Sequence, residues 1–64
     1  MIRQQVLDHL KASYPNTVSN YEIAIVLGIP EPSVRRATLE LEKSMRIHYS
    51  ETGAFGRLLW QANG

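Results

Sequence analysis

The side chains best suited to binding chemistry are basic and lie in the second half of the sequence, at Arg35, Arg36 and Lys43. A guanidinium group can donate two parallel hydrogen bonds to O6 and N7 of guanine, or it can bind a phosphate. Ser33 lies two residues before this arginine pair, where its hydroxyl can bond a phosphate or a base edge. We therefore expect Ser33, Arg35 and Arg36 to contact nucleic acid, and Lys43 to contact the phosphate backbone rather than a base.

Leu39 and Arg57 complete the set of candidate contacts. Leu39 is expected to project on the same side as Arg36, where a leucine can meet the methyl group of thymine or pack against another protein. Arg57 borders a glycine-containing stretch, which is expected either to insert into the minor groove of DNA or to lie along the phosphates. Two acidic residues, Glu31 and Glu40, lie on or near the same side and would repel phosphates. The alternative interpretation is that the arginine pair lies on a solvated surface and binds no ligand. Only Arg36 then has an acidic residue four positions later, Glu40, with which it could pair.

No residue pattern predicts catalysis or metal binding. His9 and His48 are far apart in the sequence and lack the spacing of a metal site, and the chain has no cysteine. Asp8, His9 and Ser13 are close in sequence, but adjacent residues of a helix point about 100° apart. We therefore expect a protein that is not an enzyme and that has no metal, no cofactor and no small-molecule ligand.

The length and the charge of the chain are typical of a small binding domain. Sixty-four residues suffice for one domain with a thin core. The net charge is only +1, but residues 1–31 carry two basic and three acidic side chains, whereas residues 32–64 carry five basic and three acidic ones. This distribution favours a polyanionic partner. Because there is no secretory signal and no apolar run near the ~20 residues of a membrane span, we expect a soluble, cytoplasmic protein without a membrane partner.

Hydrophobic periodicity predicts the elements that position the candidate residues, beginning with a helix over residues 2–13. Its apolar side chains recur at helical spacing, at Ile2, Val6, Leu7 and Leu10. Pro15 ends this helix because a proline restricts the residue before it to extended geometry. Thr17-Val18 is then expected to form a very short strand.

The second helix, over residues 20–27, has the clearest boundaries. Ser19 and Glu22 fit the capping pattern S-x-x-E, in which each side chain bonds a free backbone amide. Gly28 follows the helix, where a left-handed conformation is accessible to glycine. The apolar face of this helix is predicted to comprise Ile23, Ala24, Val26 and Leu27.

A tight turn leads into a third and longer helix, over residues 31–44. Pro32 is tolerated in its first turn because the amides there lack acceptors within the helix. At about 100° per residue, one face is predicted to be buried and the opposite face exposed. The buried face comprises Val34, Ala37, Leu41 and, past the helix end, Met45. The exposed face comprises Arg36, Leu39 and Lys43, flanked by Ser33, Arg35 and Glu40.

The remaining residues change to a period of two, which is typical of half-buried strands. Residues 46–50 and 57–61 are predicted to pair as a β-hairpin around a loop that contains two glycines. Four aromatic side chains are expected to pack in the core or on the hairpin, namely Tyr21, Tyr49, Phe55 and Trp60, with Phe55 at the loop tip the most exposed of them. The predicted fold is therefore mainly α with a small β-hairpin, in a single domain that spans residues 1–64.

This order of elements resembles the winged helix-turn-helix superfamily of bacterial, archaeal and phage transcriptional regulators. The resemblance extends from Ile2 to Trp60 and is carried by Asn20–Leu27, Gly28-Ile29-Pro30, Val34-Arg35-Arg36-Ala37, Leu41-Glu42-Lys43 and Arg46-Ile47. Such domains usually have glycine in place of Met45, leucine in place of Thr38 and a polar residue in place of Leu39. The resemblance therefore implies local repacking, or a recognition surface that is partly apolar.

A subfamily that binds Z-form nucleic acid is similar in spacing, but it has asparagine and tyrosine where this chain has Arg35 and Leu39, and only Trp60 matches. The wider resemblance implies that the third helix lies in the major groove of double-stranded DNA. We expect a small transcriptional regulator that binds specific sequences as a homodimer, joined through its first helix, because one such domain makes few contacts with DNA. The alternative is a winged-helix protein-interaction module that uses Pro32, Leu39 and Phe55 and does not bind DNA.

Overall fold

Over residues 1–52 and 58–63, the computed structural model consists of three helices and one three-stranded antiparallel sheet, with only the backbone described for residues 50–52. The helices are α1 (Ile2–Ser13), α2 (Asn20–Leu27) and α3 (Glu31–Lys43), and the strands are β1 (Val18–Ser19), β2 (Ile47–Thr52) and β3 (Leu58–Ala62). The mainly α fold with a small β-hairpin is confirmed, and each predicted helix is correct to within one residue. The short strand predicted at Thr17-Val18 lies one residue later.

The last strand, β3, is the central strand of the sheet, and β1 and β2 pair with its two edges. Trp60 in β3 lies opposite Val18 of β1 and opposite Tyr49 of β2. The register between β2 and β3 shifts between Tyr49 and Glu51, as it does at a β-bulge. The predicted hairpin is confirmed for the described residues. The pairing of β1 with the hairpin, which makes a three-stranded sheet, was not predicted from the sequence.

Both ends of α2 follow the local rules that predicted them. The Ser19 hydroxyl oxygen accepts a hydrogen bond of 3.1 Å from the backbone amide of Glu22. At the other end, Gly28 has a φ of 67°, and the amides of Gly28 and Ile29 both donate to the carbonyl of Ala24. This is the hydrogen-bond pattern in which a left-handed residue ends a helix.

The end of α3 has the same geometry, but a methionine takes the place of the glycine. Met45 has a φ of 61°. Its amide donates to the carbonyl of Glu42 at 3.0 Å, and the amide of Arg46 donates to the carbonyl of Leu41 at 2.9 Å. The left-handed conformation costs a residue with a Cβ atom about 1–2 kcal/mol, a cost that glycine avoids. The prediction that Met45 is buried is wrong, because this conformation turns the chain away from α3 and leaves the side chain 81% exposed.

The core lies between the three helices and one face of the sheet. Trp60 is the largest fully buried side chain. The buried apolar residues are Val6, Leu7, Leu10, Val18, Ile23, Val34, Ala37, Leu41, Ile47, Trp60 and Ala62. The predicted burial of Val26 is wrong: it is 59% exposed, because it lies about 100° around α2 from Leu27, which packs against the core.

Three of the aromatic side chains that were expected to pack in the core or on the hairpin lie among the described residues, and they differ in their environment. Trp60 is buried in the core, and the ring of Tyr49 packs edge-on against it with 6.3 Å between the ring centroids, so the hairpin packing of Tyr49 is confirmed. Tyr21 is half exposed on α2 and is not part of the core, which contradicts the prediction.

Candidate nucleic-acid interface

The direction of α3 is fixed at its start by a three-residue turn and at its middle by a side-chain contact. Pro30 precedes α3, and its carbonyl accepts hydrogen bonds from the amides of Ser33 and Val34 at 3.0 and 3.2 Å. Thr38 is fully buried, and its hydroxyl donates to the side-chain oxygen of Asn20 at 3.0 Å. Thr38 thus ties the middle of α3 to the first residue of α2.

An exposed row of four side chains runs along α3, on the side opposite the core. At about 100° per residue, these side chains fall within an arc of about 60°. The row, called the outward stripe below, comprises Pro32, Arg36, Leu39 and Lys43, all exposed. Two other candidate residues lie beside it, with Arg35 exposed and Ser33 half-buried. The structure therefore places these five predicted contact residues, Arg36, Leu39, Lys43, Arg35 and Ser33, on or next to one surface.

Arg35 is paired with an acidic residue, contrary to expectation. Its guanidinium lies 3.9 Å from the carboxylate of Glu31, one turn earlier in α3. Glu31 precedes Arg35 by four residues, a spacing that places two side chains next to each other on a helix. The sequence therefore contained the signal for this pair, on the N-terminal side of Arg35. Both side chains are largely exposed, so the ion pair contributes little to stability, about 0–1 kcal/mol.

The spacing that would allow Arg36 to pair with Glu40 is not used, since Glu40 pairs with a residue of α1 instead. The Glu40 carboxylate lies 3.8 Å from the guanidinium of Arg3. Among the side chains that the structure describes, Arg36 and Lys43 form no ion pair. The two cations of the outward stripe are thus available to a ligand, with Leu39, 46% exposed, between them.

Arg3 is a candidate interface residue that the sequence analysis missed. It lines a depression between α1 and α3 together with Ser33, Arg36 and Glu40. It also lines a second depression further along the same helix pair, where Arg46 is the other basic residue. The sequence of α1 gives no signal for this placement, because it depends on how α1 packs across α3.

The base of the hairpin is held by a group of polar side chains. The amide nitrogen of Gln61 donates to the carbonyl of Pro15 at 2.6 Å, and its oxygen lies 3.1 Å from Nε2 of His48. Nδ1 of His48 contacts the side-chain oxygen of Asn63, whose amide nitrogen donates to the carbonyl of Met45. These contacts connect both strands of the hairpin to the turn before β1 and to the turn after α3.

Two residues of interest fall within residues 53–57, which lie outside the described residues. These are Arg57, predicted to contact DNA, and Phe55, predicted to contribute to a protein-binding surface.

Apolar side chains are also exposed, and they concentrate on α2. Ile25 is 62% exposed and Val26 is 59% exposed, while Tyr21 on the same helix is half exposed. Only one of the eight residues of α2, Glu22, is charged. The outward surface of α2 is therefore more apolar than the outward stripe of α3.

Comparisons with protein-family profiles, with curated proteins and with solved structures found no match to this chain. Within the part of the chain that the structure describes, no helix has the length and apolar character that crossing a membrane requires.

Proposed function

We propose that this protein is a winged helix-turn-helix domain that binds specific sequences of double-stranded DNA, with α3 as the recognition helix, and that it acts as a transcriptional regulator. The observation that carries the proposal is the outward stripe, in which Arg36 and Lys43 are exposed and form no ion pair with another described side chain. The short turn at Gly28, between a helix of eight residues and a helix of thirteen, supports the assignment as a helix-turn-helix.

The dimensions of α3 suit the major groove. Thirteen residues of helix are about 20 Å long, and a helix with its side chains is about 10–12 Å across, close to the ~12 Å width of the groove. In this orientation Arg36, in the first half of α3, binds a guanine and Leu39 contacts a thymine methyl group. Lys43, near the end of α3, binds a phosphate. Ser33 and Arg35 contact phosphates or base edges beside the stripe.

The acidic residues near the stripe are compatible with DNA binding because each one is paired with an arginine. Glu31 lies against Arg35 and Glu40 lies against Arg3, so each carboxylate has a positive charge within 4 Å. Their repulsion of phosphates is reduced accordingly.

Homodimerisation through α1 is part of this proposal, but the outward surface of α1 is polar. Its exposed residues include Gln4, Gln5, Asp8, Lys11 and Ala12. A surface of this kind supports a weak contact that forms when two molecules are already bound to adjacent half-sites, rather than a stable dimer in free solution.

The second candidate function, a protein-interaction module, is supported by the apolar side chains on two helices. Leu39 is 46% exposed on α3, and Ile25 and Val26 are each more than half exposed on α2. Exposed apolar side chains that lie together mark binding surfaces for other proteins. The affinity of such a module for its partner would depend only weakly on salt, because no counterions are released from DNA.

Selection of bound sequences from a random pool of DNA duplexes tests the proposed function. We expect an enriched motif, and binding of the enriched duplex that weakens steeply with salt, with a slope of about −0.9 for each phosphate neutralised. A pool that shows no enrichment, together with the absence of any salt-dependent binding to duplex DNA, would reject the proposal in favour of the interaction module.

A further inference from the structure

We propose that the groove between α1 and α3 binds backbone phosphates of the same duplex that α3 reads, and that Arg3 and Arg46 are the residues that bind them. This inference rests on the proposed DNA-binding function and extends it to α1. It assigns a role to two arginines outside the helix-turn-helix.

The larger of the two depressions in the groove is cationic, whereas Glu40 lines the smaller one beside Arg3. The larger depression has a volume of about 270 Å³ and is lined by Arg3, Gln4, Leu7, Leu41, Ser44 and Arg46. Two of these six residues are basic and none is acidic. Arg46 is exposed and forms no ion pair with another side chain that the structure describes. The groove therefore offers two guanidinium groups above a floor formed by two leucines.

The C-terminus of α3, which lies next to the groove, repels an anion less than a helix C-terminus with free carbonyl groups would. Free carbonyls at a helix C-terminus carry partial negative charge. Here the carbonyls of Glu40, Leu41 and Glu42 accept hydrogen bonds from the amides of Ser44, Arg46 and Met45. The Ser44 hydroxyl also donates to the carbonyls of Glu40 and Leu41, so the two arginines, rather than this hydroxyl, are the donors to a phosphate.

The position of the groove follows from the shape of DNA. A helix about as wide as the major groove has one sugar–phosphate backbone along each of its flanks. On α3 one flank carries Arg35, and the opposite flank faces the first turn of α1. In the proposed complex, with the outward stripe against the bases, the backbone on this second side lies over the groove that Arg3 and Arg46 line.

Glu40 determines how readily Arg3 can bind a phosphate. The Arg3–Glu40 pair is about half exposed on both sides and separated by 3.8 Å, which is the geometry of a weak surface ion pair. A phosphate that approaches Arg3 therefore competes with a loosely held carboxylate, and the negative charge of Glu40 then opposes the phosphate. Removal of the carboxylate charge is expected to strengthen DNA binding through Arg3.

The test compares Arg3→Ala, Arg46→Ala and the double variant with Lys11→Ala, which removes one positive charge from the far end of α1. Binding to a labelled duplex of the selected sequence is measured by fluorescence anisotropy over a series of salt concentrations. We expect each groove variant to reduce the salt slope by about one unit and the double variant to reduce it by about two. Lys11→Ala is expected to leave the slope unchanged.

Glu40→Gln provides a second test, in which the affinity for DNA is expected to rise rather than fall. We expect it to raise the affinity for the same duplex about twofold to fivefold in the parent protein, and by less when Arg3 is already alanine. If the parent protein binds DNA and the Arg3 and Arg46 variants match Lys11→Ala, the inference is wrong and the proposed function stands. If the parent protein binds no duplex, the proposed function itself is rejected. A change of sedimentation in the free Arg3→Ala protein would show that Arg3 joins two copies of the chain, and would also overturn the inference.

Discussion

The hydroxyl of Thr38 donates a 3.0 Å hydrogen bond to the side-chain oxygen of Asn20, and so joins the middle of α3 to the first residue of α2. Thr38 is fully buried, and valine has nearly the same shape without the hydroxyl. We expect Thr38→Val to lower the free energy of unfolding by about 1–2 kcal/mol, because the oxygen of Asn20 and the carbonyl of Arg35, each 3.0 Å from the hydroxyl, lose the donor that they share. Urea denaturation followed by circular dichroism measures this change.

Asn20→Asp is the matched control for this hydrogen bond. It retains an acceptor oxygen and places a negative charge in the first turn of α2, which is favourable there. We expect no loss of stability. A Thr38→Val protein as stable as the parent would mean that apolar packing alone sets the angle between the two helices.

The left-handed residues at the ends of α2 and α3 predict opposite effects of substitution. Met45→Gly is expected to stabilise the protein by about 0.5–1 kcal/mol, since glycine adopts this conformation without strain and the lost side chain is 81% exposed. Gly28→Ala is expected to destabilise it by about 1 kcal/mol through conformation alone, because no atom lies within 4 Å of the added Cβ. Thermal unfolding measures both changes. Ser44→Gly, at a φ of −89°, is the control and is expected to destabilise.

Arg36 and Lys43 are predicted to make different kinds of contact with DNA. Arg36→Ala is expected to cost about 1–3 kcal/mol on the preferred sequence and to relax discrimination at one or two base pairs. Lys43→Ala is expected to weaken binding to all sequences about equally and to lower the salt slope by about one unit. Competition between the selected duplex and a scrambled duplex separates the two patterns.

Neither substitution in the outward stripe is expected to affect folding. Both side chains are exposed, so unfolding free energies are expected to stay within about 0.5 kcal/mol of the parent. An Arg36→Ala protein that folds normally and binds duplex DNA as well as the parent would show that α3 does not read bases. The interaction module would then be the better interpretation.

Dimer formation is predicted to depend on DNA. Because the exposed surface of α1 is polar, we expect the free protein to sediment as a monomer. On DNA we expect two copies on half-sites about 10 base pairs apart, or a multiple of that spacing. Footprinting at saturation measures the protected length. Protection of a single half-site would contradict this prediction.

Local chemistry predicted the helices well, because the signals for their ends act within a few residues. Ser19 binds the amide of Glu22, three positions onward, and Gly28 adopts the left-handed conformation directly after α2. The exposure of Arg36, Leu39 and Lys43 followed from helical periodicity in the same way.

The exposure of Met45 follows from its own backbone conformation, but other features that the sequence did not predict depend on how the elements pack. Val26 is apolar and lies in a helix, but its position just outside the core depends on where α1 and the sheet lie. Glu40 could pair with Arg36 in an isolated helix, and it pairs with Arg3 because α1 crosses α3 at this point. No periodicity in one helix reveals which residue of another helix will face it.

The central position of β3 bears on how this protein is made. The nascent chain emerges from the ribosome with its N-terminus first, so β1 and β2 leave the exit tunnel before residues 58–62 do. Until then neither strand has the neighbour with which it pairs, since both pair with β3. The core also lacks Trp60, its largest buried side chain, during that interval. The nascent chain therefore cannot complete its sheet or core before β3 emerges, and it exposes apolar side chains to chaperones and proteases until that moment.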